Sequence, residues 1–168
     1  MIDCLYIQPL VAYLTMILRS PYEDDWGNLK RGLKYLKVNL YMKMYLRSDY
    51  HNMIYWWVDA SYGTHWDRKS HTVAVISMGA GEIMSFSGKH ELNTGSSTEA
   101  ELVGISYSLG LMMCNKYFME AQGYSIDSNI LFQYNHSTIM LANNGRRLAG
   151  KNSKHVKNRY LLITDKVH

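Results

Sequence analysis

Three short apolar runs separated by turn residues limit the possible folds of this chain more than any other feature. The runs read NMIYWWVDASYG, SHTVAVISMG and GEIMSFSGK, and a glycine-rich turn at residues 79–81 separates the last two. Aromatic and β-branched residues are typical of strands, and glycines between such runs indicate tight connections. Since short connections join antiparallel neighbours, the sequence predicts three strands in a meander.

The segment that follows the meander predicts a long helix. Its sequence, STEAELVGISYSLGLMM, places apolar residues at helical spacing, at Leu102, Ile105, Leu109 and Met112. A fourth strand, NILFQY, then leads into a helix, STIMLANN, and a basic loop precedes a final helical run, NRYLLITDKV. A meander followed by a helical crossover predicts an α/β fold with a mixed sheet and helices packed on it.

The start of the long helix carries two glutamates whose role is open at this stage. A Ser or Thr followed three residues later by Glu is a capping box, and both Ser96 with Glu99 and Thr98 with Glu101 fit that pattern. Asp59, at the end of the first strand, is a common turn former. A strand-end aspartate and a glutamate of the first helix are also ligands that Mg²⁺ prefers, although a two-ion site needs a third carboxylate.

The N-terminal region predicts two helices and no membrane span. SPYEDDWGNLKRGLKYLK has acidic residues at its start and an apolar stripe formed by Trp26, Leu29, Leu33 and Leu36, so it predicts an amphipathic helix. The first twenty residues are the most apolar of the chain, but Asp3, Gln8 and Pro9 interrupt them. We therefore interpret them as a helix that packs against another surface rather than as a membrane segment.

Charge and cysteine usage narrow the class of protein. The formal net charge is +4, and no Asp or Glu occurs from Ser128 to Thr164. Basic residues accumulate in that interval, which is compatible with a solvated surface or with a polyanion site. The two cysteines, Cys4 and Cys114, have no partner spacing, which favours a reducing, intracellular location, cytoplasmic or nuclear. The basic residues concerned are Arg146, Arg147, Lys151, Lys154, Lys157 and Arg159.

Four segments taken together give the chain a family resemblance. WWVDASYGTHWDRKSHT, SSTEAELVGI, LFQYNHSTIMLANNGR and SKHVKNRYLLITDKV resemble the ribonuclease H domain of copia-type LTR retrotransposon polyproteins. SPYEDDWGNLKRGLKYLK resembles the segment just upstream, at the end of their reverse transcriptase. The resemblance covers nearly all of the chain beyond Pro21, and it divides the chain into a helical reverse transcriptase tail, residues 1–48, and a ribonuclease H-like domain, residues 49–168.

The resemblance implies a ribonuclease H-like fold and an endonuclease that cuts the RNA strand of RNA·DNA hybrids with two Mg²⁺ (or Mn²⁺) ions. Asp59 matches the aspartate of the family's first strand. Glu101, with the Leu and the small and aliphatic residues that follow it, matches the metal-binding glutamate of the first helix. Glu99 lies about 200° around the helix from Glu101, so we expect it to serve as a capping or surface residue.

The chain departs from the family at two acidic positions. The family's Asp-Asn-x-Ser motif at the fourth strand begins here with Tyr134, and Lys157 replaces the aspartate of a later motif. A phenol is a poor Mg²⁺ ligand at neutral pH, and we expect its ring to occupy the space meant for ions and water. Asp165 is the remaining candidate for a substitute ligand.

These departures leave three hypotheses about function. The first is a weak or inactive ribonuclease H in which the basic residues between Arg146 and Arg159 hold the hybrid backbone. In this hypothesis His136 or His155 transfers protons, although surface or capping roles suit both histidines better. The second is a nucleic-acid-binding relic without turnover. The third is self-association of the apolar N-terminal region. The expected partner of this region is the missing reverse transcriptase domain of a longer polyprotein. On this interpretation the chain is a truncated copy or a fragment of that polyprotein.

Overall fold

The computed structural model describes residues 7–49 and 52–144, with side chains described up to residue 142. Within them the elements follow the order predicted from the sequence. The helices are α1 Gln8–Met16, α2 Glu23–Val38, α3 Ser97–Ala121 and α4 His136–Asn144. The strands are β1 Arg47–Ser48, β2 Met53–Ser61, β3 His71–Ser77, β4 Gly79–Ala80, β5 Glu82–Lys89 and β6 Ser128–Phe132.

The main sheet has four strands in the order β5-β3-β2-β6. β2, β3 and β5 form an antiparallel meander, and β6 pairs parallel to β2 after the crossover through α3. The predicted mixed α/β architecture is therefore confirmed. A second, two-stranded sheet pairs β1 with β4, and the sequence patterns did not predict it.

The core lies between the sheet and α3. Alternate residues of β2, namely Ile54, Trp56 and Val58, are buried beneath the helix, and the predicted α3 stripe of Leu102, Ile105, Leu109 and Met112 is buried against them. The stripe prediction is confirmed because the 3.6-residue period places these side chains on one face whatever the tertiary packing.

The long helix approaches the sheet closely at Gly104. A Cβ atom added there would lie 2.8 Å from Thr72 Oγ1 of β3 and 3.5 Å from Val58 Cγ1 of β2. Glycine therefore allows the backbone of α3 to rest directly on β2 and β3. This contact fixes the height of the first helical turns above the sheet, and with it the position of Glu101.

The opposite face of the sheet contacts α1 near β5, where Ser85 Oγ donates to Gln8 Oε1 at 2.8 Å. Towards β2 and β6 the same face carries an aromatic cluster, in which the ring centroids of Trp57 and Phe132 are 5.1 Å apart. Tyr55 lies 6.2 Å from both rings. No described helix is long and apolar enough to span a membrane.

The contact face of α2 differs from the apolar stripe expected for it. Trp26 and Leu33 are more than half exposed, whereas Asp25 and Gly32 are buried. The cause lies in the neighbouring α1, because Tyr13 Oη donates to Asp25 Oδ1 at 3.1 Å and Leu10 occupies the space above Gly32. The small residue and the hydrogen-bonded carboxylate let α1 and α2 come together, while Leu29 and Leu36 of the predicted stripe are half-buried.

Candidate active site

Asp59 and Glu101 meet at an edge of β2 that β6 leaves uncovered. β6 pairs with residues 53–57 of β2, so among the described residues no strand covers this edge at residues 58–61. The strand continues to Ser61, two residues beyond the predicted end at Asp59. The backbone N–H of Ala60 donates to the Glu101 carboxylate at this uncovered edge. The carboxylate of Glu101 thus takes the place of a strand partner.

Burial defines the electrostatic state of Glu101. The residue is 7% exposed, and this burial is the main reason why its pKa is raised. The negative charge of Asp59 and a hydrogen bond between the two carboxyl groups raise the pKa further, while hydrogen bonds from Gln133 and the Ala60 N–H lower it. Asp59 itself is exposed. Two acidic groups that repel each other at a sheet edge favour a shared proton or a bound cation.

Gln133 is the residue that faces Glu101 from the end of β6. Its Nε2 lies 3.1 Å from Glu101 Oε2 and 3.5 Å from the Val58 carbonyl oxygen. Its Oε1 accepts the Asn135 N–H at 2.9 Å. Asn135 in turn caps α4, because its Oδ1 accepts the Thr138 N–H at 3.1 Å. The Gln133 amide is therefore held from both ends.

The sequence did not identify Gln133 as part of the site. Its only signal was a polar residue near the end of the predicted strand NILFQY, and the structure ends this strand at Phe132, one residue earlier. Which of Gln133 and Tyr134 points towards Glu101 depends on the pleat of β6 and on its register against β2, and neither is visible in the sequence.

Tyr134 lies differently from what we expected. Its side chain is 83% exposed, so the ring does not fill the space beside Glu101. That expectation was wrong, because side chains alternate along an extended segment and Gln133 takes the inward position. The conclusion that no carboxylate follows β6 at this point is unaffected.

The two glutamates of α3 have separate environments, as helix geometry predicted. Ser96 is the N-cap, and its Oγ accepts the Glu99 N–H at 3.1 Å. Glu99 Oε2 accepts the Gly95 N–H at 2.7 Å. Glu99 therefore supports the start of the helix. Glu101, two residues later, is on the buried face of α3 and lies at the sheet edge.

The carboxylates at this edge of the sheet limit how many divalent metal ions the site can hold. Asp59 and Glu101 supply carboxylate oxygens suited to one hard cation. Among the described residues, no group of three or more His, Cys, Asp or Glu side chains could hold a metal ion. The described residues therefore fit one ion and do not fit the pair implied by the family resemblance.

Several predicted site residues lie outside the described residues. They are the candidate ligand Asp165, the degenerate position Lys157, and the basic residues Arg146, Arg147, Lys151, Lys154 and Arg159, together with His155 and the final helical run. His136 lies at the first position of α4 and is exposed. A comparison of the chain with known protein-family profiles gives no match.

Proposed function

We propose that this chain carries the ribonuclease H-like domain of a copia-type retrotransposon polyprotein, preceded by the end of its reverse transcriptase, and that its substrate is the RNA strand of an RNA·DNA hybrid. The four sequence segments that resemble this family support the proposal. An antiparallel meander followed by a helix crossover to a parallel strand, in the order β5-β3-β2-β6, is the topology that such a domain requires.

The observation that carries the proposal is the meeting of Asp59 and Glu101. Asp59 and Glu101 are 42 positions apart in the sequence (101 − 59) and lie in two of the segments that carry the family resemblance. Two carboxyl groups close enough for the charge of Asp59 to raise the pKa of Glu101 are what a shared cation site requires.

Each residue of the site has a defined task in this proposal. Asp59 and Glu101 would hold a Mg²⁺ or Mn²⁺ ion, which supplies Lewis-acid activation of water and of the phosphoryl oxygen when bound. The Ala60 N–H and Gln133 Nε2–H fix the orientation of the Glu101 carboxylate. Burial of Glu101 excludes water from one side of the pair.

Gln133 also favours the second candidate function, hybrid binding with little or no hydrolysis. Its amide donates a hydrogen bond to Glu101. A second ion would need a third carboxylate beside Glu101, and the amide of Gln133 lies there instead. Loss of a metal-positioning ligand removes most of the stabilisation of charge in the transition state. A domain with one half of the metal site would retain recognition of the hybrid through its shape and phosphates.

A cleavage assay tests the proposal and separates the two candidates. A hybrid labelled on its RNA strand is incubated with the full chain and Mg²⁺, and the Asp59→Asn variant serves as the control for contaminating nuclease. Slow cleavage that Asp59→Asn abolishes identifies an impaired enzyme. Equal residual cleavage by both proteins places the chain in the non-hydrolytic class.

A binding measurement decides whether the chain recognises hybrids at all. Fluorescence anisotropy with a labelled RNA·DNA hybrid in EDTA is expected to show affinity that falls steeply as salt rises, since phosphate contacts release counterions. Single-stranded RNA and duplex DNA of the same sequence are the comparison ligands. No binding at low salt, together with no cleavage, would overturn the proposed function.

A further inference from the structure

A pair of histidines lies on the sheet face opposite α3, away from Glu101. His71 opens β3, where it pairs with Ser61 of β2, and His65 lies in the loop between those strands. His65 Nε2 and His71 Nδ1 face each other at 3.0 Å, and the ring centroids are 5.2 Å apart. Both imidazoles line a cavity of about 410 Å³ between this loop and α1.

The contacts of His71 fix the ring nitrogen that it presents. Its Nε2 lies 2.7 Å from Ser87 Oγ of β5, so an Nε2–H that donates to this hydroxyl leaves the Nδ1 lone pair directed at His65. Metal-binding histidines are commonly oriented in this way, with the remote N–H donated to a protein oxygen. The β3–β5 pairing, which places Val73 opposite Ser87, holds Ser87 in position.

We propose that His65 and His71 form a binding site for a borderline divalent transition-metal ion such as Zn²⁺, held by His65 Nε2 and His71 Nδ1. A tetrahedral Zn²⁺ with Zn–N bonds of about 2.0–2.1 Å separates two nitrogens by about 3.3–3.4 Å. The separation of the two nitrogens has to increase by a few tenths of an ångström from 3.0 Å, and both rings have to turn so that their lone pairs converge on the ion instead of facing each other. In the hydrogen-bonded pair His65 Nε2 carries the hydrogen that points to His71 Nδ1. When His65 adopts its Nδ1–H tautomer, the Nε2 lone pair becomes available to the ion.

The charges around the pair allow a cation to bind. The positive charge of Lys89 would repel a cation bound by the pair, but its Nζ forms a salt bridge of 2.7 Å with Asp67 Oδ2. Burial, with Lys89 as the second cause, lowers the pKa of His65, while Asp67 opposes this shift. Burial and the neighbouring His65 lower the pKa of His71. Both rings are therefore neutral at pH 7, the state in which imidazole binds metal.

The ion at this site has open coordination positions. Among the described residues, no third His, Cys, Asp or Glu completes a group of three with the pair. The hydroxyls of Ser61 and Thr64, 3.2 Å apart, line the same cavity and provide polar contacts for ligand water. Zn²⁺ held here would have two protein ligands, one fewer than an open catalytic zinc centre usually has, and would complete its coordination with water. It is independent of the carboxylate pair at the β2 edge.

Zn²⁺ titration of the full chain by isothermal calorimetry, in excess Mg²⁺, tests the proposal. We expect His65→Gln and His71→Gln each to weaken Zn²⁺ binding at least tenfold, and Ser87→Ala to weaken it about tenfold through the lost orientation of His71. His136→Gln, at an exposed histidine on α4, is the matched control and leaves the affinity unchanged. Affinities within twofold of the wild type for both His65→Gln and His71→Gln would overturn the proposal.

A second measurement guards against variants that fold poorly. His65 lies in a loop, so His65→Gln is expected to keep the metal-free melting temperature of the wild type. Cu²⁺ electron paramagnetic resonance should show coupling to two nitrogens in the wild type and to one in His65→Gln. An identical spectrum in the His65→Gln/His71→Gln double variant would show that the copper lies elsewhere, and the proposal would fail.

Discussion

The burial of Glu101 carries a cost that depends on pH. Its pKa in the folded chain is raised above the ordinary value of 4.5, chiefly by burial. Between the two values the folded state binds more protons than the unfolded state, so stability falls as pH rises through this window. Above the folded pKa the full cost is present, and below 4.5 it disappears.

Glu101→Gln should therefore stabilise the metal-free protein at pH 7 and have no such effect in acid. The amide keeps the shape of the carboxylate and removes the buried charge. About 1.4 kcal/mol of stability would be regained for each unit by which the pKa is raised, and each kcal/mol corresponds to about 2–4 °C in melting temperature for a chain of this size. Thermal unfolding of the wild type and of Glu101→Gln in EDTA, at pH values from 4 to 8, measures the difference in melting temperature.

The control for this prediction is Glu91→Gln, an exposed glutamate in the loop between β5 and α3. It should leave the difference between pH 4 and pH 7 as in the wild type. A Glu101→Gln variant less stable than the wild type at pH 7 would show that the ionised carboxylate is held by stronger contacts than those from Gln133 and Ala60.

If the proposed function holds, the position of Gln133 leads to a prediction about repair of the proposed metal site. Gln133→Glu replaces the amide beside Glu101 with a carboxylate of the same length, and should raise Mg²⁺-dependent cleavage of the hybrid at least tenfold. It should also make the melting temperature depend on Mg²⁺, because three clustered carboxylates repel one another until a cation binds. Tyr134→Asp is the matched variant and should give the smaller gain, since its side chain faces solvent.

The reverse ranking would also be informative. A larger gain from Tyr134→Asp would mean that the segment after β6 exchanges its inward and outward side chains when a carboxylate is offered to the ion. The family's motif register would then decide the site rather than the present position of Gln133. Cleavage rates and Mg²⁺-dependent melting of both variants, measured together, separate these outcomes.

At the level of elements, the close contact of α3 with the sheet should make Gly104 intolerant of a side chain. Gly104→Ala places a Cβ 2.8 Å from Thr72 Oγ1, so the helix or β3 must shift, at a cost of about 1–3 kcal/mol. Gly110→Ala, on the exposed side of the same helix with open space around it, should instead stabilise by about 0.5–1 kcal/mol. Urea unfolding of the two variants provides the measurement.

Opposite signs for the two alanines are the essential result. If both variants gain stability, α3 can move away from β2 and β3 at no cost, and Gly104 does not set the height of Glu101. Under the proposed function, a Gly104→Ala protein that still folds should also bind hybrid less tightly or cleave it more slowly, because Glu101 lies one turn before this contact.

For the whole molecule, the apolar surface on the N-terminal helices is the feature with the clearest consequence. Large side chains on α2 and just beyond α1 and α2 are between 58% and 92% exposed. They are Leu18, Trp26, Val38 and Tyr41. Surfaces of this kind mark sites where another chain binds. We expect weak self-association when no other partner is present.

Sedimentation velocity over a range of concentrations measures this association. The wild type should sediment faster at high concentration, and Trp26→Glu/Val38→Glu should remain a monomer. Trp66→Glu is the control, because Trp66 is even more exposed than Trp26 and Val38 but lies in the loop between β2 and β3. A wild type that stays monomeric at high concentration would exclude the prediction.

The order of the elements and the buried face of α3 could be predicted from the sequence because both depend on local patterns. Strand-forming runs, turn glycines and helical periodicity act within about ten residues, and they correctly predicted the meander, the crossover and the stripe from Leu102 to Met112. The separate environments of Glu99 and Glu101 also followed from helix geometry, since the two positions cannot share one face.

Only the tertiary structure decided which side chains meet. Gln133, rather than Tyr134, faces Glu101 because β6 ends opposite Trp57 in one particular register. α2 packs through Asp25 and Gly32 because α1 lies across them, and His65 meets His71 because the β2–β3 loop folds back over the sheet. These contacts depend on register and on the relative placement of distant segments. Their energies arise between residues far apart in the chain, and no local pattern encodes them.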